Sequence, residues 1–157
     1  MIAGIGAPPV MSVAPTRDPT YDKFFPENNT IQMMIRWRRE DVTTNLVLLG
    51  FDLQMDDGLG NDDQFKPIFD SGNNPLGESY LVSGLTPSWT YRFMVRARDI
   101  NRLGPNSPQG SFVACIVPGE MAAPNLTAVD ATTFSLAWKQ PEHTGGCAIT
   151  NYAVLLS

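Results

Sequence analysis

The chain has 157 residues, 43% of them hydrophobic and 17% charged, which is typical of a globular protein with one or two domains. Its net charge of −5 argues against nucleic-acid binding, because domains that bind nucleic acids are usually basic. No apolar run approaches the length of a membrane-spanning helix, and 13 Gly with 13 Pro favour strands and turns.

Three stretches alternate apolar and polar side chains with a period of two residues, which predicts β-strands packed on one face. They are residues 31–37, 91–97 and 134–138. No stretch keeps a helical period.

The chain also contains an internal repeat. Trp37 in IQMMIRWRR and Trp138 in TFSLAWKQP are each followed after 14 residues by an aromatic residue, Phe51 and Tyr152. The two copies are offset by 101 residues, and about 100 residues is the size of an immunoglobulin-like sandwich.

A set of longer motifs completes the pattern: APPV at 7–10, MIRW at 34–37, YLVSGLTPSWTYRFMVRARDINRLGPNS at 80–107, AAPNL at 122–126 and SLAWKQPEHTGGCAITNY at 135–152. With these motifs the sequence resembles tandem fibronectin type III domains over nearly its whole length. The resemblance implies an all-β, seven-stranded immunoglobulin-like β-sandwich followed by the first strands, A, B and C, of a second one.

The resemblance also implies a domain map. It consists of an N-terminal tail or linker at 1–6, a first domain at 7–118, a linker at 119–122 and an incomplete second domain at 123–157. In the first domain it implies strands A near 9–15, B at 30–39, C at 46–55, C′ at 64–70, E at 79–83, F at 90–99 and G at 110–117. The implied structural core is Trp37, Phe51, Tyr91, Phe93, Trp138 and Tyr152, with Tyr91 at the family's tyrosine corner.

The second domain is expected to lack its later strands, because Ser157 falls inside the implied strand C. Three strands cannot enclose a core, and they leave an edge open to pairing. We therefore expect the missing strands to come from the rest of a longer chain or, alternatively, from another subunit.

The first domain is predicted to carry an A–B insertion at about 16–29, because Pro9 precedes Trp37 by 28 residues and Pro124 precedes Trp138 by 14. Loops of this length are often functional. Tyr21, Phe24 and Phe25 within it are candidate partner-binding residues. In the alternative interpretation, Phe24 or Phe25 folds back and caps the open end of the sandwich.

The implied strand F directs Arg92, Arg96 and Arg98 outward. They fit an anionic partner, such as a sulfated glycan or an acidic protein tail, or cross-strand ion pairs with strand C, where Asp52 points outward. The acidic net charge favours the ion pairs.

The stretch FDLQMDDGLGNDDQF at 51–65 combines turn residues with carboxylates. Counted from Asp52 as an EF-hand loop, the sixth residue is Asp57 instead of Gly and the twelfth is Asp63 instead of Glu. We therefore predict a C–C′ hairpin with a turn at Asp57-Gly58. The alternative is a surface calcium site at Asp56, Asp57, Asp62 and Asp63.

No catalytic set can be assembled, and no cofactor is expected. His143 is the single histidine and is predicted to face solvent in a loop, so it supports neither a nucleophile–histidine pair nor a zinc site with Cys115 and Cys147. We predict a buried thiol at Cys115, within the run Phe112 to Val117, and a loop thiol at Cys147. The alternative is a bridge between the two, for which the sequence gives no support.

The expected function is that of a non-catalytic structural or adhesive module from a longer tandem array, with protein partners and without nucleic acid or membrane insertion. Candidate glycosylation sites at Asn28 and Asn125 slightly favour an extracellular or cell-surface location. The alternatives are an intracellular cytoskeletal or ciliary scaffold segment and an accessory domain of a larger enzyme.

Overall fold

A computed structural model describes residues 6–157, so the implied tail at 1–6 lies almost entirely outside the described residues. The described chain is all-β. Its strands are β1 (Val10–Met11), β2 (Thr16–Phe25), β3 (Thr30–Arg36), β4 (Val42–Thr43), β5 (Leu48–Met55), β6 (Lys66–Asp70), β7 (Ser79–Leu85), β8 (Thr90–Asp99), β9 (Gly110–Val113), β10 (Asn125–Val129) and β11 (Phe134–Ala137). A single 3-10 turn lies at Arg39–Asp41, and no helix in residues 6–157 is long and apolar enough to cross a membrane.

Strands β1 to β9 form a β-sandwich, which we call the sandwich. One sheet has the order β2-β3-β7 and the other β6-β5-β8-β9, with antiparallel pairing throughout, while β1 pairs with β4. The fold class predicted from the sequence, an all-β sandwich of the fibronectin type III kind, is confirmed for this part of the chain.

The core lies between the two sheets and is built by the alternating residues of the central strands. From β3 come Ile31, Met33 and Ile35, and from β5 and β8 come Phe51, Leu53, Phe93, Val95 and Ala97, all fully buried. The register places Leu53 opposite Val95 and Met55 opposite Phe93, so these side chains share one face. This face supplies most of the hydrophobic free energy of folding.

The segment predicted as an A–B insertion is not a loop. Residues 16–25 form β2, which pairs with β3 from Thr16 opposite Arg36 to Phe25 opposite Thr30. The register shifts between Asp18 and Lys23, and only residues 26–29 form a turn. Strand A is therefore in two parts, β1 and β2, and the long second part covers the edge of β3 that would otherwise be unpaired.

The C-terminal segment, residues 123–157, contains one hairpin, β10–β11, in which Asn125 lies opposite Ala137. The implied third strand is not formed, since residues 148–157 belong to no strand. In the sandwich the corresponding strand, β5, is held between β6 and β8. Residues 148–157 have no such neighbours in the described chain, so the prediction of a strand C here was wrong.

Candidate functional site

The outward face of β5, β6 and β8 is a ladder of ion pairs. Arg92 contacts Asp56 at 2.7 Å and Asp62 at 2.6 Å, Arg96 Nε donates to Asp52 at 2.8 Å, and Arg98 contacts Asp70 at 2.9 Å. The predicted pairing of Asp52 with an arginine of the next strand is confirmed. Each of these arginines is occupied by a carboxylate, which disfavours this face as a site for an anionic partner.

The pKa values follow from these pairs. The Arg98 guanidinium, with a further hydrogen bond from the Gly72 N–H, holds the pKa of the Asp70 carboxyl below its ordinary value. The carboxylates of Asp56 and then Asp62 raise the pKa of Arg92. The charged forms of Asp70 and of Arg92 are thereby favoured.

The aspartate-rich stretch connects β5 to β6, and its carboxylates make different contacts. Asp56 is fully buried on Arg92, and Asp57 accepts a hydrogen bond from the Leu59 N–H at 2.9 Å within the turn. Asp62 is 92% exposed and lies on the same arginine, while Asp63 lies next to Gln64. No group of three or more His, Cys, Asp or Glu in residues 6–157 is arranged to hold a metal ion.

Gly58 gives this connection its shape. Its φ is +78°, and an added Cβ would lie 2.8 Å from the Tyr91 ring and 2.9 Å from the Trp89 ring. The turn is therefore pressed against two aromatic rings, in a conformation and a space that favour glycine.

The three aromatic residues of β2 do not form one patch. The Tyr21 ring lies 5.5 Å from the Arg36 guanidinium and is 46% exposed, and the half-buried Phe25 ring lies 4.7 Å from the Lys23 ammonium. Phe24 is half-buried against the core, with its ring 5.4 Å from that of His143. The arrangement of Phe24 is the one expected for the capping alternative.

Phe24→Ser is expected to lower the free energy of unfolding by about 1–2 kcal/mol, because roughly half of a phenylalanine side chain would lose its apolar environment. Chemical unfolding followed by circular dichroism measures the loss. Tyr21→Ser on the same strand is the matched control and is expected to change stability less, since Tyr21 is 46% exposed and does not pack against the core. Equal effects of both substitutions would contradict the capping role.

The two cysteines form a disulfide, with Cα atoms 5.6 Å apart, so the prediction of two free thiols was wrong. Their separation of 32 positions in the sequence gave no sign of it, because the pairing depends on residues 141–147 folding back onto the end of the sandwich. In the same loop His143 is half-buried and its Nδ1 accepts a hydrogen bond from the Gly145 N–H at 3.2 Å, which differs from the predicted solvent-facing position.

Both glycosylation candidates are exposed. Asn28 lies in the β2–β3 turn, where its side-chain oxygen accepts a hydrogen bond from the Thr30 hydroxyl at 2.7 Å. Asn125 is the first residue of β10. Neither is buried against the sandwich, so both remain candidates.

The hairpin of the C-terminal segment exposes an apolar face that we call the open face. Trp138 is 41% exposed and Tyr152 is 38% exposed, whereas their repeat equivalents Trp37 and Phe51 are buried. The two rings contact each other at 5.9 Å and line a groove of about 470 Å³ together with residues 121–124 and 153–155. Further exposed apolar side chains follow: Leu126, Val129, Phe134, Val154, Leu155 and Leu156.

Trp138 and Tyr152 therefore do not occupy the core positions predicted for them. A sandwich core needs a second sheet opposite the first, and the described part of the C-terminal segment has only β10 and β11. The outer edges of both strands are also unpaired within the described chain. Exposed apolar side chains next to free strand edges are the features of a surface that binds further strands.

Comparison with known proteins supports the fold. No family model matches the chain. The chain is 29% identical over 132 residues to Fibronectin type-III domain-containing protein 3a of Gallus gallus, and the match covers 80% of this chain but spans only about 10% of that relative.

One solved structure supports the same fold. The solution structure of the 6th fibronectin type III domain from human fibronectin type III domain containing protein 3 matches with a TM-score of 0.51 at 19% identity, covering 77% of this chain and 98% of that one. A fibronectin type III domain derived from human KIAA0970 protein matches with a TM-score of 0.47 at 15% identity, covering 78% of this chain and 86% of that one. Together with the sheet topology, the first of these matches identifies the fold as that of a fibronectin type III domain.

Proposed function

We propose that this chain is a non-catalytic interaction module, in which a closed fibronectin type III sandwich carries a second, incomplete unit that is completed by further β-strands. The observation that carries the proposal is the open face. It combines apolar side chains, two free strand edges and a groove beside Trp138 and Tyr152.

The chemistry of the open face defines the partner. An added strand would gain backbone hydrogen bonds along an edge of β10 or β11, and its alternate side chains would cover the apolar groove. The ligand is therefore an extended polypeptide with apolar residues at every second position. We infer that these strands come from the same, longer polypeptide, in a tandem array, and a second subunit is the alternative donor.

Two observations support this source. The relative in Gallus gallus is about ten times the length of the matched region, since the match covers 10% of it. The repeat offset of 101 residues also fits a second copy of the same sequence pattern directly after the first. The proposed parent is an assembly in which consecutive domains make protein–protein contacts.

The disulfide supports a location for this function. Disulfides persist in oxidising environments and are rare in the cytosol. The Cys115–Cys147 bridge therefore favours an extracellular or cell-surface module over an intracellular cytoskeletal or ciliary scaffold.

Trp138→Ala tests the open face directly. We expect the 157-residue chain to bind a hydrophobic dye and to self-associate as its concentration rises, and we expect this substitution to reduce both. Light scattering after size exclusion measures the association. Trp89→Ala is the matched control, because Trp89 is 39% exposed on the sandwich and also stands beside a tyrosine ring.

The outcomes separate the two donors. A mass of the protein from its natural source well above 17.2 kDa supports strands from the same chain. A mass of 17.2 kDa with dimers in solution supports a second copy as the donor. A monomer of that mass, with dye binding unaffected by Trp138→Ala, would refute the proposal.

A further inference from the structure

A loop of the C-terminal segment, residues 141–147, lies on one end of the sandwich and is named here the docking loop. The Ile116 N–H donates to the Gly145 carbonyl at 2.8 Å, and the Gly119 N–H donates to the His143 carbonyl at 3.0 Å. The Ser88 hydroxyl donates to the Gly146 carbonyl at 2.6 Å. Two of these bonds join the backbones of the two parts of the chain, and the third joins the Ser88 side chain to the backbone of the loop.

The docking loop fits closely against the sandwich because of its two glycines. Gly145 has φ +74°, and a Cβ there would overlap the Ile116 carbonyl oxygen. Gly146 has φ +93°, and a Cβ there would lie 3.0 Å from Pro87 and 3.2 Å from Ile31 Cδ1. Residues with side chains would push the loop away from this surface.

The sandwich side of this contact is shaped for the loop as well. Ser88 has φ +68°, a conformation that non-glycine residues rarely adopt and that persists where the surroundings fix it. Its N–H donates to the Ala114 carbonyl at 3.0 Å while its hydroxyl holds Gly146. Beside these contacts lie the Cys115–Cys147 disulfide and the Phe24–His143 ring contact.

The direct connection between the sandwich and the β10–β11 hairpin is residues 120–124, and it is not buried as parts of the docking loop are. Residues 120–124 are all exposed and belong to no strand, so burial does not fix this connection. The docking loop adds a second attachment, which follows the hairpin in the sequence, since β10–β11 comes after Gly119 and before the loop along the chain. The hairpin is thus held at both of its ends.

We propose that the docking loop and the disulfide form a rigid joint, which holds the β10–β11 hairpin at one fixed orientation to the sandwich. The partner surface is the end of the sandwich at Ile31, Pro87, Ser88 and Ile116, and its ligand is the glycine-containing loop of the unit that follows in the same chain. The joint sets the direction in which the next unit extends, whichever strands complete the open face.

Nuclear magnetic resonance of the 157-residue chain tests the joint. The amides of β10–β11 are expected to share one rotational correlation time and one alignment tensor with those of β3, β5 and β8, from ¹⁵N relaxation and residual dipolar couplings. Faster reorientation of the hairpin, or a second alignment tensor, would overturn the proposal.

Gly145→Ala is expected to abolish this common motion, so that the hairpin reorients faster while the amides of β5 and β8 stay unchanged. Gly84→Ala is the matched control, because Gly84 also has a positive φ, +73°, but a Cβ there would meet nothing within 4 Å. It is expected to keep a single tensor. A single tensor in Gly145→Ala as well would count against the docking loop.

The double substitution Cys115→Ser with Cys147→Ser tests the covalent part of the joint. The hairpin is expected to keep its strand chemical shifts but to need its own alignment tensor. If Gly145→Ala melts the hairpin, this variant decides the outcome, and retention of one tensor in it would overturn the role of the disulfide.

Discussion

Phe51→Ala is expected to lower the free energy of unfolding by about 3–5 kcal/mol, the range for removing a buried aromatic side chain. Phe51 is fully buried on β5, the strand between β6 and β8, and its ring makes an edge-on contact with Trp37 at 5.9 Å. The substitution removes apolar surface from the core and leaves a cavity that the paired strands on either side cannot close. A loss of this size exceeds half of the stability of many small domains.

Chemical unfolding followed by circular dichroism measures this loss. Phe134→Ala is the matched control, because Phe134 is also on a strand but is 53% exposed on β11. The control is expected to change stability by less than about 0.5 kcal/mol, as substitutions at exposed sites usually do. Comparable losses in the two variants would mean that the C-terminal segment has a closed core of its own, contrary to the open face.

The strands that sequence patterns predicted best are those with one buried face. In β3, β5 and β8 every second residue is an apolar side chain buried in the core, because one side of each strand faces the opposite sheet. The resemblance implied a core position for Phe51, and the buried positions of Trp37 and Phe93 also follow from the alternation. The same rule placed Asp52 outward and near the arginines of the neighbouring strand, where it pairs with Arg96.

Strand β2 could not be predicted in this way. Its sequence, TRDPTYDKFF, contains Pro19 and no regular alternation, since its register shifts partway and its residues are mostly exposed or half-buried. It forms a strand because it pairs with the edge of β3, and this pairing depends on the tertiary structure rather than on the local sequence. Repeat spacing predicted extra residues in this segment but said nothing about their conformation.

The joint was missed for a related reason. Gly145, Gly146 and Cys147 are adjacent in the sequence, where they indicate only a turn, and Cys115 is 32 residues away. Their common role appears only when the loop meets the end of the sandwich. A signal was present in the pair of glycines directly before a cysteine, but the spacing alone does not identify which surface they approach.

The aspartate-rich connection shows the opposite difficulty. Its composition suggested a calcium site, but in the structure its carboxylates make separate contacts. Asp56 accepts hydrogen bonds from the Arg92 N–H at 2.9 Å, from Arg92 Nε at 2.7 Å and from the Gly58 N–H at 3.3 Å. Its side chain is fully buried, while that of Asp62 on the same arginine is 92% exposed. Two aspartates that look alike in the sequence thus occupy very different environments.

Asp56→Ala is therefore expected to lower the free energy of unfolding by about 3 kcal/mol, because three hydrogen bonds are lost and the Arg92 backbone N–H is left without its acceptor. The loss occurs in the strand pair at the centre of the sheet, where water has little access to replace the carboxylate. Urea unfolding at neutral pH measures it, and the midpoint is expected to fall without a change in the denaturant slope.

Asp62→Ala is the control for this prediction, since it removes a carboxylate from the same arginine at an exposed position. It is expected to change stability far less, because exposed ion pairs are screened by water and salt. The melting temperature measured with and without calcium distinguishes the ion-pair role of these aspartates from the metal-site alternative. We expect no calcium-induced rise in the melting temperature of the unsubstituted chain. A rise that both substitutions abolish would mean that Asp56 and Asp62 bind the ion together, and that the Arg92 contacts give way to it.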